Sequence, residues 1–559
     1  MPSFLSPGEY ILERDMSTTV PGVATSIAAY VGAATWGPVF VRTQVTNEKT
    51  YSEQFGVPTD ETYEDFFTVA GFLKYASTII FVRAVDPAYA RNAQIGVTTA
   101  GTITSTSGDY IPDWETMAAI NDWGTGEKLR VYGKFPGEFG NTNFNVAVLN
   151  YRAYTDFTTN PTSAWSAETT GCSAELGTLE YGPASANEFV VQVYLLNTDG
   201  KFELAENFLV SDTAGAKDHQ GNNMYVEDAI NNASKYILAF NHTTIATQPQ
   251  AIGASLLAGG MDGMPGASDI IDGYETYFGN TEDIEINYLI GGSHTTVSIA
   301  KAIVAVAVQR ADCFAILDCP KTDMVGVASL SDAVQNTIDY RKVRLNENPS
   351  YAALYANWLY IYDKYNDVNR WVPSSGHVAG VYAYTADTTD AWWAPAGLNR
   401  GIFRNVIKVA MNPSKAFRDT MYVAQVNPIV SFPGQGIVVW GQKTLQTKPS
   451  AFDRVNVRLL FNYMEKAIAI SAKYVTFEPN DNLTRATFKN MVIPFMEDIK
   501  GRRGVYDYLV DVSDKVNTPE RIDRNEFWCE IYVKPTRAAE FIVVRFTATK
   551  TGVDFAELQ

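Results

Sequence analysis

Four stretches carry residue types that could do chemistry, and each must be weighed on its spacing. "GIVVWGQKT", residues 436–444, comes within one residue of a phosphate-binding loop. That loop is Gly, four residues, Gly, Lys, then Ser or Thr, and its small residues expose backbone N–H groups to an anion. Gly436 and Gly441 have the right gap, but Gln442 separates the second glycine from Lys443 and Thr444. The intervening Ile, Val, Val and Trp read as a strand between glycine turns, not as a cradle. "GGMDGMPGASDIIDG" sets Asp262, Asp269 and Asp272 among glycines. A calcium loop needs oxygen ligands at alternate positions, which this spacing does not supply, so the segment reads as a turn-rich connection.

Nucleophilic chemistry has as little support. The four histidines are His219, His242, His294 and His377, with no His-Glu-x-x-His, and no Gly-x-Ser-x-Gly elbow occurs. Ser375, His377 and Asp387 are the nearest thing to a triad, but a serine and a histidine two residues apart are a poor basis for one. Cys172, Cys313, Cys319 and Cys529 form no Cys-x-x-Cys pair and read as buried thiols of a reducing compartment. No catalytic, cofactor or metal residue is therefore expected. "KGRRG", residues 500–504, is either a helix end, where cations suit the dipole, or a contact for an acidic partner. Trp392 and Trp393 in "AWWAP" would point to opposite faces of a strand, placing one at an interface.

The elements that must hold these residues follow from periodicity. "TSIAAYVGAATWGP" reads as a buried strand, "TYEDFFTVAGFLKYA" as a helix and "STIIFVRAVD" as a strand, the order of a parallel α/β unit. Residues from about 90 to 225 turn rich in Thr, Ser, Asn and Gly, with short strands such as "KLRVYGKF", "FNVAVLNYRAY" and "EFVVQVYLLN". Alternation then returns with "IEINYLIGG", "TVSIAKAIVAVAVQRAD" and "CFAILDCP", and a helix over "SDAVQNTIDYRKVRL" capped by Ser331. Further on, "AFDRVNVRLLFNYMEKAIAISAKYV" is a long amphipathic helix with Asp453 as its cap, and "TRATFKNMVIPFMEDIKG" must kink or restart at Pro494. "EFWCEIYVKP" and "AAEFIVVRFTATKTG" read as two closing strands, and "GEYILERDMS" as a strand bracketed by prolines 2, 7 and 21.

The bulk numbers bound the partners. A chain of 559 residues with 46% hydrophobic and 19% charged residues has material for several cored domains. Its 13% aromatic content favours sheet or contact surface. A net charge of −18 repels nucleic acid and acidic membranes. The start, with prolines and acids, lacks the pattern of a signal peptide, and "VSIAKAIVAVAVQ" is too short and carries Lys301, so neither nucleic-acid binding nor membrane insertion is expected.

An ordered series of motifs then resembles one family, the contractile tail sheath proteins of bacteriophages and related injection machines. It runs through "SPGEYILERDMSTTVPGVATSIAAYVGAATWGPV", "YSEQFG", "LLAGGMDG", "CFAILDCP", "YAALYANWLYIYD", "VPSSGHVAGVYAYTADTTDAWWAPAG", "VNPIVSFPGQGIVVWGQKTL", "FDRVNVRLLFNYMEKAIA" and "TFEPND". Only residues from about 95 to 225 match nothing nameable. The resemblance implies an α/β and α+β multidomain chain. Its parts would be an N-terminal arm (1–25), an α/β core (26–95 and 226–400) interrupted by a β-rich outer domain (96–225), an inner α+β assembly domain (401–538) and a C-terminal arm (539–559). It implies a homo-oligomer of stacked helical rings around a tail tube protein, with baseplate and terminator proteins at the ends, in a virion tail assembled in the host cytoplasm.

The physics expected of such arms is β-augmentation. Tyr10, Ile11, Leu12 and Glu13 at one end, and Phe541, Ile542, Val543, Val544 and Phe546 at the other, would be exchanged between subunits. Trp528, Glu530, Ile531, Tyr532 and Val533 would belong to the receiving sheet. Candidate tube contacts are Arg458, Lys466 and Lys473 on the long helix, and Lys500, Arg502 and Arg503. A second reading is the sheath of a phage-like bacteriocin or cellular injection system, and a third is a hydrolase built on Ser375, His377 and Asp387.

Overall fold

Runs of small and β-branched apolar residues build the centre of the chain. The computed structural model describes residues 20, 22–104, 109–112, 123–159, 182–197 and 199–542, of which 156–159 are described as backbone. Eight strands lie in the order β19 (Gly436–Val439), β18 (Val426–Phe432), β14 (Ala352–Ala356), β13 (Phe314–Asp318), β12 (Tyr288–Ile290), β1 (Ala28–Gly32), β3 (Ile79–Arg83) and β2 (Thr43–Val45). The six inner strands are parallel, and β19 and β2 close the sheet as antiparallel edges. Strands buried on both faces need helices on both, and the sequence provides them. Helices Ala267–Phe278, Val297–Arg310 and Leu330–Asp339 share a core with Ala29, Val31, Ala315 and Leu317. On the other face Tyr382, from helix Ser375–Thr388, packs on Tyr288, Phe314 and Tyr355.

That helix approaches helix Tyr63–Leu73 at van der Waals distance because Gly71, Gly376 and Gly380 leave room. A Cβ at Gly376 would lie 2.2 Å from the Thr68 carbonyl oxygen, and one at Gly71 would strike the His377 ring at 2.7 Å. Asp318 closes the helix start from the end of β13. Its carboxylate accepts from the backbone N–H and hydroxyl of Ser374 and from the Ser375 N–H, at 2.6–3.1 Å. Burial pushes the Asp318 carboxyl up to about 6, against those hydrogen bonds, which pull it down. With a folded value above the unfolded one, the group's stabilising contribution is complete below about pH 4 and is lost as pH rises through about 6. Asp318→Asn is expected to flatten that loss, roughly 3 kcal/mol, in urea denaturation followed between pH 4 and 7. Parallel curves for parent and variant would contradict it.

Two further sheets, β10 (Ile237–Asn241)–β6 (Glu127–Gly133)–β4 (Gln94–Thr98)–β5 (Ile103–Thr104) and β11 (Ile252–Leu256)–β7 (Phe144–Asn150)–β8 (Glu188–Leu196)–β9 (Phe202–Ser211), face each other across one core. They draw strands from 94 to 256, wider than the 96–225 that the resemblance implies and past the limit near 225 read from composition. β10 and β11 lie beyond that limit, and their pairing with β6 and β7 assigns them to these sheets. Arg83 joins this region to the main sheet. Its fully buried guanidinium donates to the carbonyls of Ala34 (2.8 Å), Gly37 (2.9 Å) and Pro136 (2.9 Å).

A three-stranded sheet, β16 (Val368–Pro373)–β15 (Trp358–Asp363)–β17 (Lys408–Val409), and an antiparallel ribbon, β20 (Val505–Asp511)–β21 (Glu530–Pro535), complete the strands. The chain divides into two compact units. One is 24–384 with 396–447; the described part of the other includes 385–395 and 448–542. The division falls at 447, not at 401, because β18 and β19 extend the main sheet. Among the described residues no helix is long and apolar enough to cross a membrane.

Several local expectations are corrected. Ser329, not Ser331, caps its helix, accepting from the Asp332 N–H at 3.1 Å, and the helix passes into a π-helical turn over Tyr340–Leu345. Asp453 lies in a 3₁₀ turn and pairs with Arg454 instead of capping helix Val455–Lys473. Helix Asn482–Gly501 does not restart at Pro494, which sits on an exposed face. Trp392 and Trp393 lie in a turn, not on a strand.

Candidate assembly interface

The residues of the phosphate-like stretch are committed elsewhere. Gly436–Val439 is the edge strand β19, paired with β18. The Lys443 ammonium donates to the Tyr422 carbonyl at 2.8 Å and lies 4.5 Å above the Tyr422 ring. Gly441 is small because a Cβ would meet the Asn427 side chain at 2.8 Å. Asp262 accepts from the Glu138 N–H at 2.8 Å, and Asp269 accepts from the Gly266 N–H to close a helix start. Asp262 and Asp269 thus organise backbone, and Asp272 lies exposed on helix Ala267–Phe278.

The triad-like residues do not converge. The Ser375 hydroxyl accepts from the Gly292 N–H, while the buried His377 ring meets the Tyr75 hydroxyl at 3.2 Å. Two residues apart on one helix they face different sides, and Asp387 lies ten residues further on, ~15 Å along the axis. Burial holds His377 well below the usual histidine range, so it stays neutral.

The 448–542 region offers a different kind of site. Helices Val455–Lys473 and Asn482–Gly501 present Leu460, Met464, Phe488, Val492 and Met496 to a small core, and the ribbon lies against it. Tyr508 and Val510 of β20, and Ile531 and Val533 of β21, face this core. The Tyr508 hydroxyl donates to Glu497 at 2.7 Å. Leu509 and Tyr532 face away and are more than half exposed. β20 and β21 pair only with each other among the described residues, so each leaves one edge of backbone N–H and C=O groups open. A two-stranded sheet is marginal by itself, and an open edge is a template for another strand.

Glu530, Ile531, Tyr532 and Val533 lie in β21. Trp528 precedes the strand. Its N–H bonds the Asn517 side chain at 2.8 Å and Arg521 stacks 4.0 Å over its ring, which holds it in the loop. Phe541 and Ile542 are exposed and belong to no strand of the single chain. Tyr10, Ile11, Leu12, Glu13, Val543, Val544 and Phe546 lie outside the described residues.

The basic candidates separate. Arg458 is buried, donating to Asn462 at 2.8 Å and Glu465 at 3.0 Å and stacking on Phe452, so it is not on an open polar face. The aromatic neighbours that cover it lie three and six residues away and give no helical-face signal. Lys466 is half-buried and Lys473 exposed. Lys500 pairs with Asp507 at 3.3 Å, and Arg502 with Asp390 and Asp498 while covering Trp392. Arg503, exposed and at φ 65°, has no ion pair among the described residues. Sequence reading passed over β20 and the aromatic loop after the long helix, where Tyr474 and Phe477 stand exposed. The alternation in "VYDYLVD" was the signal for the first.

The chain is similar to known proteins over its whole length. Three family models match: the phage tail sheath C-terminal domain at 447–549, the phage tail sheath protein central domain at 263–445, and the tail sheath protein Gp18 domain III N-terminal region at 25–84. The tail sheath protein of Vibrio phage KVP40 is 32% identical, with 100% of both chains covered. That of Enterobacteria phage T4 is 29% identical over 100% of this chain and 99% of its own. Among solved structures, the sheath tail protein of Listeria innocua superposes with a TM-score of 0.53 at 12% identity, covering 92% of this chain and 96% of that one. The contracted sheath of an extracellular contractile injection system gives 0.51 at 14% identity over 98% and 99%.

Proposed function

The chain belongs to the phage tail sheath family, and we propose that its two terminal segments join the subunits of the helical sheath that it builds. It is a structural subunit of a contractile tail sheath and a component of the virion tail. The observation that carries the exchange is the ribbon β20–β21, with both edges open, in a chain whose two ends hold apolar, strand-forming segments. A strand lent to such an edge is held by main-chain hydrogen bonds and tethered to its own subunit. A head-to-tail contact of this kind that does not close generates a helix. Subunits linked this way can re-pack as rigid bodies without leaving the mesh, so contraction needs a metastable starting lattice and no nucleotide.

The subunit acts as a mechanical part and not as an enzyme; the separate engagements of Ser375 and His377 support this. It surrounds a tail tube protein, ends at baseplate and terminator proteins, and assembles in the host cytoplasm. The tube contact draws on Lys466, Lys473, Lys500, Arg502 and Arg503, with Arg503 the most available cation. Reversing charge at Lys500, Arg502 and Arg503 is expected to lower co-sedimentation of sheath with tube by about tenfold at low salt. Unchanged co-sedimentation would remove the cluster from the contact. The conclusion as a whole is tested by negative-stain electron microscopy of the purified chain. Hollow striated tubes are expected, and dispersed particles even with tube protein added would contradict it.

A further inference from the structure

The chain's net charge of −18 is not spread evenly. Residues 396–447 hold six cations, Arg400, Arg404, Lys408, Lys415, Arg418 and Lys443, and one acid, Asp419. Residues 236–300 hold seven acids and no lysine or arginine. The cations gather round the β18–β19 edge of the main sheet. The 401–403 segment runs along β19, with the Phe403 N–H donating to the Ile437 carbonyl at 2.8 Å. Lys408 lies in β17, and helix Lys415–Val423 packs on β18. Arg404, Lys408, Lys415 and Arg418 have no ion pair among the described residues. Three of them lie over aromatic rings instead: Arg404 4.8 Å from Tyr384, Lys408 4.5 Å from Tyr360 and Arg418 5.6 Å from Phe432. An aromatic face holds a cation in place without neutralising it.

The acids stand at the other end of one helix layer. Helices Lys415–Val423, Leu330–Asp339, Val297–Arg310 and Ala267–Phe278 follow one another across the main sheet, from β18 to β1, over a shared core. Asp272 and Glu275 lie exposed on the last of these helices and Glu282 on the loop after it, and none of the three has an ion pair among the described residues. Asp283 beside them pairs with Arg42 at 3.6 Å. From β18 to β1 is four strand spacings, ~19 Å. That is more than twice the screening length at physiological salt, so the two ends cannot neutralise each other within one subunit.

We propose that the basic end of this helix layer docks on the acidic end of the same layer in a second copy of the chain. Charge complementarity selects the occupant: each end meets in the other copy the charge that its own subunit leaves it without. Both ends also carry exposed apolar side chains. Ile402, Ile407, Val423 and Trp440 stand among the cations, and Val41 stands near the acids, next to Phe40, which stacks on Tyr277 of the acidic helix. Apolar contacts with charge around them are the pattern of a protein interface. The two ends are different surfaces, so the contact is head-to-tail and repeats from copy to copy instead of stopping at a dimer. It draws on the 24–384 and 396–447 unit and on neither terminal segment, so it goes beyond strand exchange, and each reading can fail without the other.

Charge reversal in the full-length protein provides the test. Lys408→Glu with Lys415→Glu reverses part of the basic end, and Asp272→Lys with Glu275→Lys part of the acidic end; all four residues are exposed. Each double variant is expected to raise the protein concentration needed for tubes about tenfold or more at low salt, at unchanged melting temperature, by sedimentation and negative staining. All four substitutions in one chain make the ends complementary again, and the threshold is expected to return to within about threefold of the parent. Where a reversal lowers the melting temperature, the neutral variants Lys408→Gln with Lys415→Gln and Asp272→Asn with Glu275→Gln take its place. Each is expected to raise the threshold about threefold, and the two sets together no further, because a pair already broken is not broken twice. A fourfold reversal as defective as either double variant overturns the proposal, and so do neutral sets whose effects add. A parental threshold in the acidic-end variant beside a defect in the basic-end variant also overturns it and assigns the cations to a different acidic partner.

Discussion

Removal of residues 1–20 is expected to leave a folded subunit that no longer polymerises. In three cores of the described residues every buried member lies beyond 28, so truncation should cost those cores little. The lattice should lose much more. A strand lent to an open edge forms about five main-chain hydrogen bonds, each contributing ~1 kcal/mol net, and those bonds exist only between subunits. A loss of ~3–5 kcal/mol per subunit corresponds to a ~10²–10⁴-fold rise in the concentration needed for assembly. Side-by-side negative staining and sedimentation of intact and truncated protein would measure this. Tubes from both would keep the sheath and remove the N-terminal arm from its mesh.

The second large effect is expected inside the subunit. Arg83→Met would leave the carbonyls of Ala34, Gly37 and Pro136 buried without their donor. Burial already pulls the guanidinium down to about 10, and the Asp262 carboxylate is its main electrostatic support. Replacing a buried ion by a hydrophobe can be neutral when its partner leaves with it. Here the partners are backbone and stay. A loss of ~3–5 kcal/mol is expected, with faster amide exchange over residues 134–141, where the β-rich region meets the main sheet. A melting curve within ~0.5 kcal/mol of the parent would contradict the role assigned to Arg83.

The main parallel strands and most of the long helices were legible from pattern, because burial on both faces demands uninterrupted apolar runs, as in "AAYVG" and "FAILD". The limits of the β-rich region were not. Its first and last strands, "QIGVT" and "IGASL", are assigned only by pairing. The same holds for 401–447, where β18 and β19 add to the main sheet through β14, a partner far away in sequence.

The assembly site divides along the same line. The basic residues at 500–503 were visible as charge, but the pairing of Lys500 with Asp507 and of Arg502 with Asp390 and Asp498 depends on contacts up to 112 residues apart. Arg458 was placed on an open face by helical spacing and is buried by Phe452 and Phe461, which only packing could reveal. Local periodicity, composition and an ordered series of motifs determined family, sheet and subunit role, because these depend on neighbours along the chain. Which edges remain open and which charges remain free were decided by tertiary structure, because each depends on residues that meet only when distant segments pack.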